Sequence, residues 1–265
     1  MSSALALANL FSVEDKRVIV TGGATGIGRM IATTFAVNGA KVYITGRRGD
    51  VLDKTAREVN AEVEENGGKG CVIAQVVVIW RSGETSKALV AEFHAKIAEK
   101  EEKIDTLVNC AGVLIPFRSK AKDHNDVQDV QQLLESVEDE DFAIQNSVNV
   151  AGPYFMTTAF APMLMKSDNP NVINIASIGA YALQKKVGSL TYSVSKGATI
   201  TLSSQLASRL IPYGIRVNCI CPGRAGETAE IGGPCVMLAS AAGAYTNNAT
   251  IVVDGGRLMT LSSNA

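Results

Sequence analysis

The sequence predicts an α/β fold, a mostly parallel sheet with helices on both faces. Three observations lead there. Short β-branched runs alternate with stretches of helical period along most of the 265 residues. Glycine is abundant (24 residues) and aromatics are sparse (5%), which suits tight turns and close backbone packing. A glycine trio, Gly22, Gly26 and Gly28, separates the first apolar run from the first helical stretch.

The elements follow in order. Residues 16–21 (KRVIVT) are continuous and β-branched, as a strand buried on both faces should be. Residues 26–38 place Ile27, Met30, Ile31 and Phe35 on one helical face, and Gly39 closes the helix. Residues 41–45 (KVYIT) form the second strand. Asp50 is expected to cap a helix carrying Leu52, Ala56, Val59 and Val63, which ends at Gly67-Gly68. Residues 71–79 make a third strand, 85–102 a helix with Leu89, Phe93 and Ile97 inward, and 104–109 a fourth strand. Strands at 171–176, 216–220 and 250–254 alternate with helices near 191–210 and 228–239. Seven strands wound this way imply a Rossmann-like, doubly wound sheet, with ligands outside the carboxyl ends of its strands. Residues 123–141 break the rhythm with eight acidic residues and no Lys or Arg, which reads as a solvated helix and loop.

Length and composition narrow the classes. One domain spanning 1–265 is expected. Hydrophobic residues are 46% and charged residues 19%, so the chain folds. With 25 basic and 26 acidic residues the net charge is -1, which argues against nucleic acid as a partner. The five cysteines form no framework and read as reduced, buried thiols, with Cys219 and Cys221 on one face of a strand. With only two histidines no metal site is expected. No apolar run reaches bilayer length, and the start has no basic n-region, so a soluble, cytoplasmic protein without membrane contact is expected.

Residues 21–28 (TGGATGIG) read as a phosphate-binding turn made by Thr21, Gly22, Thr25, Gly26, Ile27 and Gly28. Glycine there allows a sharp turn and lets N–H groups at a helix start approach a pyrophosphate. No carboxylate ends the second strand to receive the ribose hydroxyls of NAD. Arg47 and Arg48 stand there instead, either as two solvated arginines or as partners of a 2′-phosphate, and the second reading favours NADP over NAD. Tyr192 and Lys196 are spaced i, i+4 at a helix start and so share a face. A nearby ammonium lowers a tyrosine pKa, making the phenol a usable acid or base. Ser177 follows the fifth strand, so its hydroxyl lies at the same carboxyl edge.

In this order, TGGATGIG (21–28), NCAG (109–112), Asn149, Ser177, YSVSK (192–196), Pro222-Gly223 and VDGG (253–256) resemble the short-chain dehydrogenase/reductase family over nearly the whole chain. VYITGRR, PYGIRVNCI and AGAYTNNATIVVDGGR are similar to its fungal-type 3-oxoacyl-carrier-protein reductase-like members. The resemblance implies that Tyr192 is the general acid/base and that Ser177 orients the substrate oxygen. It implies that Lys196 lowers the Tyr192 pKa and holds the nicotinamide ribose, and that Asn149 positions a water. Asn109, Ala111 and Gly112 would flank the adenine and stabilise the sheet, with Pro222 and Gly223 also at the cofactor. Homodimers or homotetramers are implied as well, and the apolar residues Ala198, Ile200, Leu202, Leu206 and Leu210 fit that expectation.

Two features depart from the family. Residues 74–80 contain no acid where the third strand normally ends in an Asp that contacts the adenine. After Pro222-Gly223 the segment of a few tens of residues that forms a substrate lid is missing. Tyr181 and Leu183 are expected to border the substrate. Two readings follow. One is an NADP-dependent oxidoreductase acting on a carbonyl or secondary alcohol. The other is a non-catalytic nucleotide-binding or interaction protein, a lid-deleted variant of the family.

Overall fold

A computed structural model describes residues 4–77, 86–183, 189–223 and 226–260. Seven strands form one sheet: β1 (Arg17–Thr21), β2 (Lys41–Gly46), β3 (Cys71–Val76), β4 (Thr106–Asn109), β5 (Asn171–Ile175), β6 (Arg216–Pro222) and β7 (Thr250–Val253). Their order is β3-β2-β1-β4-β5-β6-β7, and every pairing is parallel. The helices are α1 (Leu7–Leu10), α2 (Gly26–Val37), α3 (Gly49–Glu65), α4 (Ser86–Ala98), α5 (Val127–Glu135), α6 (Asp139–Asn146), α7 (Gly152–Leu164), α8 (Leu190–Arg209), α9 (Thr228–Ala239) and α10 (Arg257–Thr260).

Parallel strands are buried on both faces, and alternate residues of each strand enter different cores. Val18, Val20, Val42, Ile44 and Val108 pack with Ile31 and Phe35 of α2, Leu52 and Val59 of α3, and Ile231 and Leu238 of α9. Ile19, Tyr43, Leu107 and Val172 pack on the opposite face with Phe93 of α4, Phe160 of α7 and Leu206 of α8. Burying a side chain such as Phe35 or Phe160 contributes about 2–3 kcal/mol. Glu101 ties the amino-terminal edge together. It accepts from Arg17 Nε at 2.7 Å, from Lys41 Nζ at 2.6 Å and from the Tyr43 hydroxyl at 2.6 Å.

Several boundaries differ from the sequence expectation. Arg48, not Asp50, is the N-cap of α3, and it makes no side-chain capping bond. Asp50 instead sits in the first turn, where a carboxylate favours the helix dipole. The third strand ends at Val76, and residues 78–80, including Trp80, lie outside the described residues. Helix α4, described from Ser86, ends at Ala98 rather than at 102, and residue 85 lies outside the described residues.

The acidic segment is a solvated pair of helices with a connecting loop, six of its eight carboxylates being exposed, and several of them also cap helices. Asp126 accepts from the N–H groups of Gln128 and Asp129 at the start of α5. Glu138 and Asp141 form a capping box on α6, and Asp141 also pairs with Arg118. All five cysteines are free thiols. Among the described residues, no cluster fit for a metal ion is present, and no helix is long and apolar enough to cross a membrane.

Candidate active site

The chain runs outward from β1 through β2 to β3, then returns to place β4 on the other side of β1. That reversal opens a crevice beyond the carboxyl ends of β1 and β4. A cleft of ≈ 620 Å³ occupies it. Its rim is the turn after β1, its side is Arg47-Arg48 after β2, and its floor is Ile175, Tyr192 and Lys196.

The glycine turn is built by close backbone approach. Gly22 adopts φ +68°, and a Cβ there would lie 2.9 Å from the Ala111 Cα. A Cβ on Gly28 would lie 2.2 Å from the Gly22 carbonyl oxygen. Ala24, Thr25, Ile27 and Gly28 line the cleft beside Gly22, and α2 begins at Gly26. Gly26 itself is not in the lining and has φ +52°. Thr21 is buried and is not among the lining residues. Its hydroxyl accepts from the N–H groups of Cys110 and Ala111, both at 3.0 Å, and so holds the loop after β4 against β1.

Arg47 and Arg48 are exposed, line the cleft, and have no ion pair among the described residues. No Asp or Glu is among the described lining residues. A closely approachable turn, two free guanidiniums and no opposing carboxylate fit an anionic dinucleotide.

At the floor, Ser189 caps α8 by accepting from the Tyr192 N–H, which sets the first turn and its tyrosine. Ser177 lies beside Tyr192 and favours its ionised form, and the Ser177 hydroxyl accepts from the Gly179 N–H at 3.0 Å. Lys196 is buried. Its ammonium donates to the Ile175 carbonyl at 2.8 Å and lies 5.7 Å from the centroid of the Tyr192 ring. The expected lowering of the Tyr192 pKa is not seen. Burial pushes the phenol above its ordinary value, and the neighbouring Ser177 only partly offsets this. Burial also pushes the Lys196 pKa down.

Asn149 sits in a π-turn, Ser147–Ala151. Its side chain accepts from the Val113 N–H and donates to the Val113 carbonyl and the Ser195 hydroxyl, each at 2.9 Å. Pro153, four residues on, has no N–H to offer the Asn149 carbonyl. The Thr199 hydroxyl donates to it instead, at 2.9 Å. Gly112 lines the cleft, and a Cβ there would lie 3.4 Å from both Asn149 Oδ1 and Lys196 Nζ.

Ala111 and Gly112 line the cleft. Asn109 is buried in the sheet, where it donates to Asn174 Oδ1 at 2.8 Å and to Thr157 Oγ1 at 3.3 Å and so ties β4 to β5 and α7, the sheet-stabilising part of its implied role. Pro222 ends β6, and Gly223 lies against Asp254, where a Cβ would meet the Asp254 Cβ at 2.7 Å. Tyr181 and Leu183 are exposed beyond Ser177, and residues 184–188 lie outside the described residues.

Sequence reasoning missed Gln145, which is fully buried. Its side chain accepts from the Ile115 N–H at 3.3 Å and donates to the Thr191 hydroxyl, joining the cleft wall to the turn that carries Tyr192. The available signal was its i, i+4 spacing from Asn149. Cys110 was also missed as a lining residue, and burial pushes its thiol up to about 11.

Known proteins resemble the chain over most of its length. The family described as short chain dehydrogenase matches residues 16–230. The short-chain dehydrogenase/reductase PhomF of Diaporthe leptostromiformis is 32% identical over 301 residues, covering 100% of this chain and 98% of the relative. That alignment is 36 residues longer than this chain's 265, so the relative carries residues this chain lacks. A solved short-chain type dehydrogenase/reductase from Mycobacterium marinum superposes with TM-score 0.80 at 25% identity, covering 95% of this chain and 98% of that one. The Pseudomonas aeruginosa RhlG/NADP active-site complex superposes with TM-score 0.76 at 25% identity, covering 94% and 98%.

Proposed function

From the premise that this chain belongs to the short-chain dehydrogenase family, a family of oxidoreductases, we propose that it is an NADP-dependent carbonyl reductase or alcohol dehydrogenase of 3-oxoacyl reductase-like type. One observation carries the reading. Tyr192, beside Ser177 and with the Lys196 ammonium 5.7 Å from its ring centroid, stands on the floor of a cleft whose rim is the glycine turn and whose side is Arg47-Arg48, with no carboxylate lining and no ion pair to those arginines among the described residues. The NADP named in the RhlG complex supports the choice of cofactor.

The nicotinamide supplies or accepts the hydride. Tyr192 Oη gives its proton to the carbonyl oxygen as that oxygen gains charge, and Ser177 Oγ orients the same oxygen. Burial keeps the phenol protonated at neutral pH, the form a reduction needs. Lys196 places a positive charge beneath the site. Asn149 holds the wall at Val113 against Ser195, so that the floor and the wall keep their spacing. Thr25, Gly26, Ile27 and Gly28 would hold the pyrophosphate, and Arg47 and Arg48 would hold the 2′-phosphate. Dimers or tetramers form through α7 and α8. Leu206 and Leu210 are used inside the protomer's own core, whereas Tyr154, Leu190 and Val194 remain exposed.

A second reading is favoured by one feature. β6 ends at Pro222 and α9 starts at Thr228, which leaves five residues, 223–227, where a lid would stand. A lid excludes water and completes a site. Without it the chain binds nucleotide and turns nothing over. The experiment is NADPH binding by fluorescence, followed by NADPH oxidation with a panel of ketones and 3-oxoacyl thioesters. Turnover that Tyr192→Phe abolishes, with NADPH binding retained, supports the enzyme. Binding without turnover on any substrate favours the second reading, and absence of binding overturns both.

A further inference from the structure

The opposite edge of the sheet, at the amino ends of the strands, holds a second depression of ≈ 490 Å³. Lys16, Asp168, Asn169 and Arg216 line it, with Asn9 and Ser12 from the segment before β1. Strand register builds the ground beneath it. Thr106 pairs with Asn171 and Asn171 with Arg216, so three polar side chains stand side by side on one face of β4, β5 and β6. None of the three is more than 8% exposed.

Arg216 donates to the carbonyls of Gly243, Thr246 and Leu238 and to Asn169 Oδ1, at 2.8 to 3.1 Å. Those bonds engage four of its five N–H groups but do not neutralise its charge, since it has no ion pair among the described residues. Burial pushes this guanidinium down to about 10. The Lys16 ammonium also has neither an ion pair nor a hydrogen bond among the described residues. Burial pushes its pKa down, Lys103 and Arg216 add to that, and Asp105 and Asp168 oppose it. Asp105 is already engaged by the Arg17 N–H at 2.8 Å, Ser167 Oγ at 2.5 Å and Lys103 Nζ at 3.4 Å. The charged groups lining the depression are therefore Lys16, Arg216 and Asp168, one cation in excess. Behind them, among the described residues, Asn171 Nδ2 is a buried donor without a partner and Thr106 Oγ1 is likewise unpaired.

A half-buried cation gains most from an anion brought into the same low-dielectric region. We propose that this depression binds a phosphate group, with Lys16 as the direct contact, Arg216 as the fixed positive charge behind it, and Asp168 as the residue that limits affinity. The site is separate from the cofactor cleft, because the sheet lies between them, and it does not depend on whether the chain turns over.

The test is equilibrium dialysis of labelled inorganic phosphate against the full chain carrying Arg47→Ala and Arg48→Ala, which removes the guanidiniums of the cofactor cleft. Lys16→Met in that background is expected to weaken binding at least about tenfold, and Asp168→Asn to tighten it about threefold or more. Circular dichroism checks that each variant stays folded. Glycerol 3-phosphate serves as the second probe. If it binds more tightly than phosphate, and Lys16→Met removes that binding, the occupant is an organic phosphate; the reverse order assigns the free ion. Phosphate binding that neither substitution changes, or no binding at all, overturns the proposal.

Discussion

Replacing Arg47 and Arg48 together with alanine separates the two cofactors. Both side chains are exposed at the cleft and unpaired among the described residues, so the ligand-free protein has no ion pair to lose. Arg48 caps α3 through its backbone alone, so the helix start survives the change. A hydrogen bond to a charged group is worth about 1.5–3 kcal/mol. Solvent screening at an exposed site reduces each arginine to about 1 kcal/mol. The pair then contributes about 2 kcal/mol toward a 2′-phosphate, which is about 30-fold in Kd. NADH has no such phosphate and should lose less than about threefold. Fluorescence titration of wild type and double variant with NADPH and NADH at low ionic strength measures the ratio. The NADPH advantage should also shrink with added salt in the wild type. An equal loss for both cofactors, or no loss for NADPH, refutes a 2′-phosphate contact.

Further substitutions test the site and its scaffold. Gly28→Ala places a methyl 2.2 Å from a backbone oxygen that cannot turn aside, and should destabilise the chain by about 1–3 kcal/mol and weaken NADPH binding at least about tenfold. Gly197→Ala, on α8 with nothing within 4 Å of its added methyl, should instead leave stability unchanged or raise it by up to about 1 kcal/mol. Urea unfolding compares the two, and similar midpoints would contradict the packing argument. Glu101→Gln removes the charge that holds Arg17 and Lys41 at the sheet edge, and should cost about 2 kcal/mol because those cations are partly exposed. Burial raises the Glu101 pKa, but its bonds to Lys41, Tyr43 and Arg17 together bring it below the ordinary value. Its stabilisation is therefore present above the unfolded pKa of about 4.3 and lost as pH falls through the lower folded value. The acid fall in wild-type urea midpoints should be shallower in the variant, and parallel curves would count against the sign. Carbonyl reduction should hold its rate up to pH ~9, because burial raises the Tyr192 pKa, and a rate falling near neutrality would show a lowered one.

Much of this protein is written in local pattern. The runs at 16–21 and 41–45 are strands because β-branched residues pack on both faces of a sheet. The i, i+4 spacing of Tyr192 and Lys196 alone places them on one face of a helix. The glycines of the phosphate turn and the paired arginines after β2 were equally legible, since one requirement is steric and the other is charge. What the sequence left open depends on which strand lies beside which. β4 docks against β1 from 85 residues away, Val20 opposite Val108 and Thr21 opposite Asn109, and only that pairing opens the cleft. The pairing of β4 with β5 sets Asn109 opposite Asn174, to which its side chain donates. Gln145 bridges two elements distant in sequence. The pKa of Tyr192 followed burial rather than the lysine four residues on. Period and propensity act between neighbours along the chain and can be read there. Burial, register and the direction of a buried amide arise between elements brought together only in the folded molecule, and tertiary structure decided them.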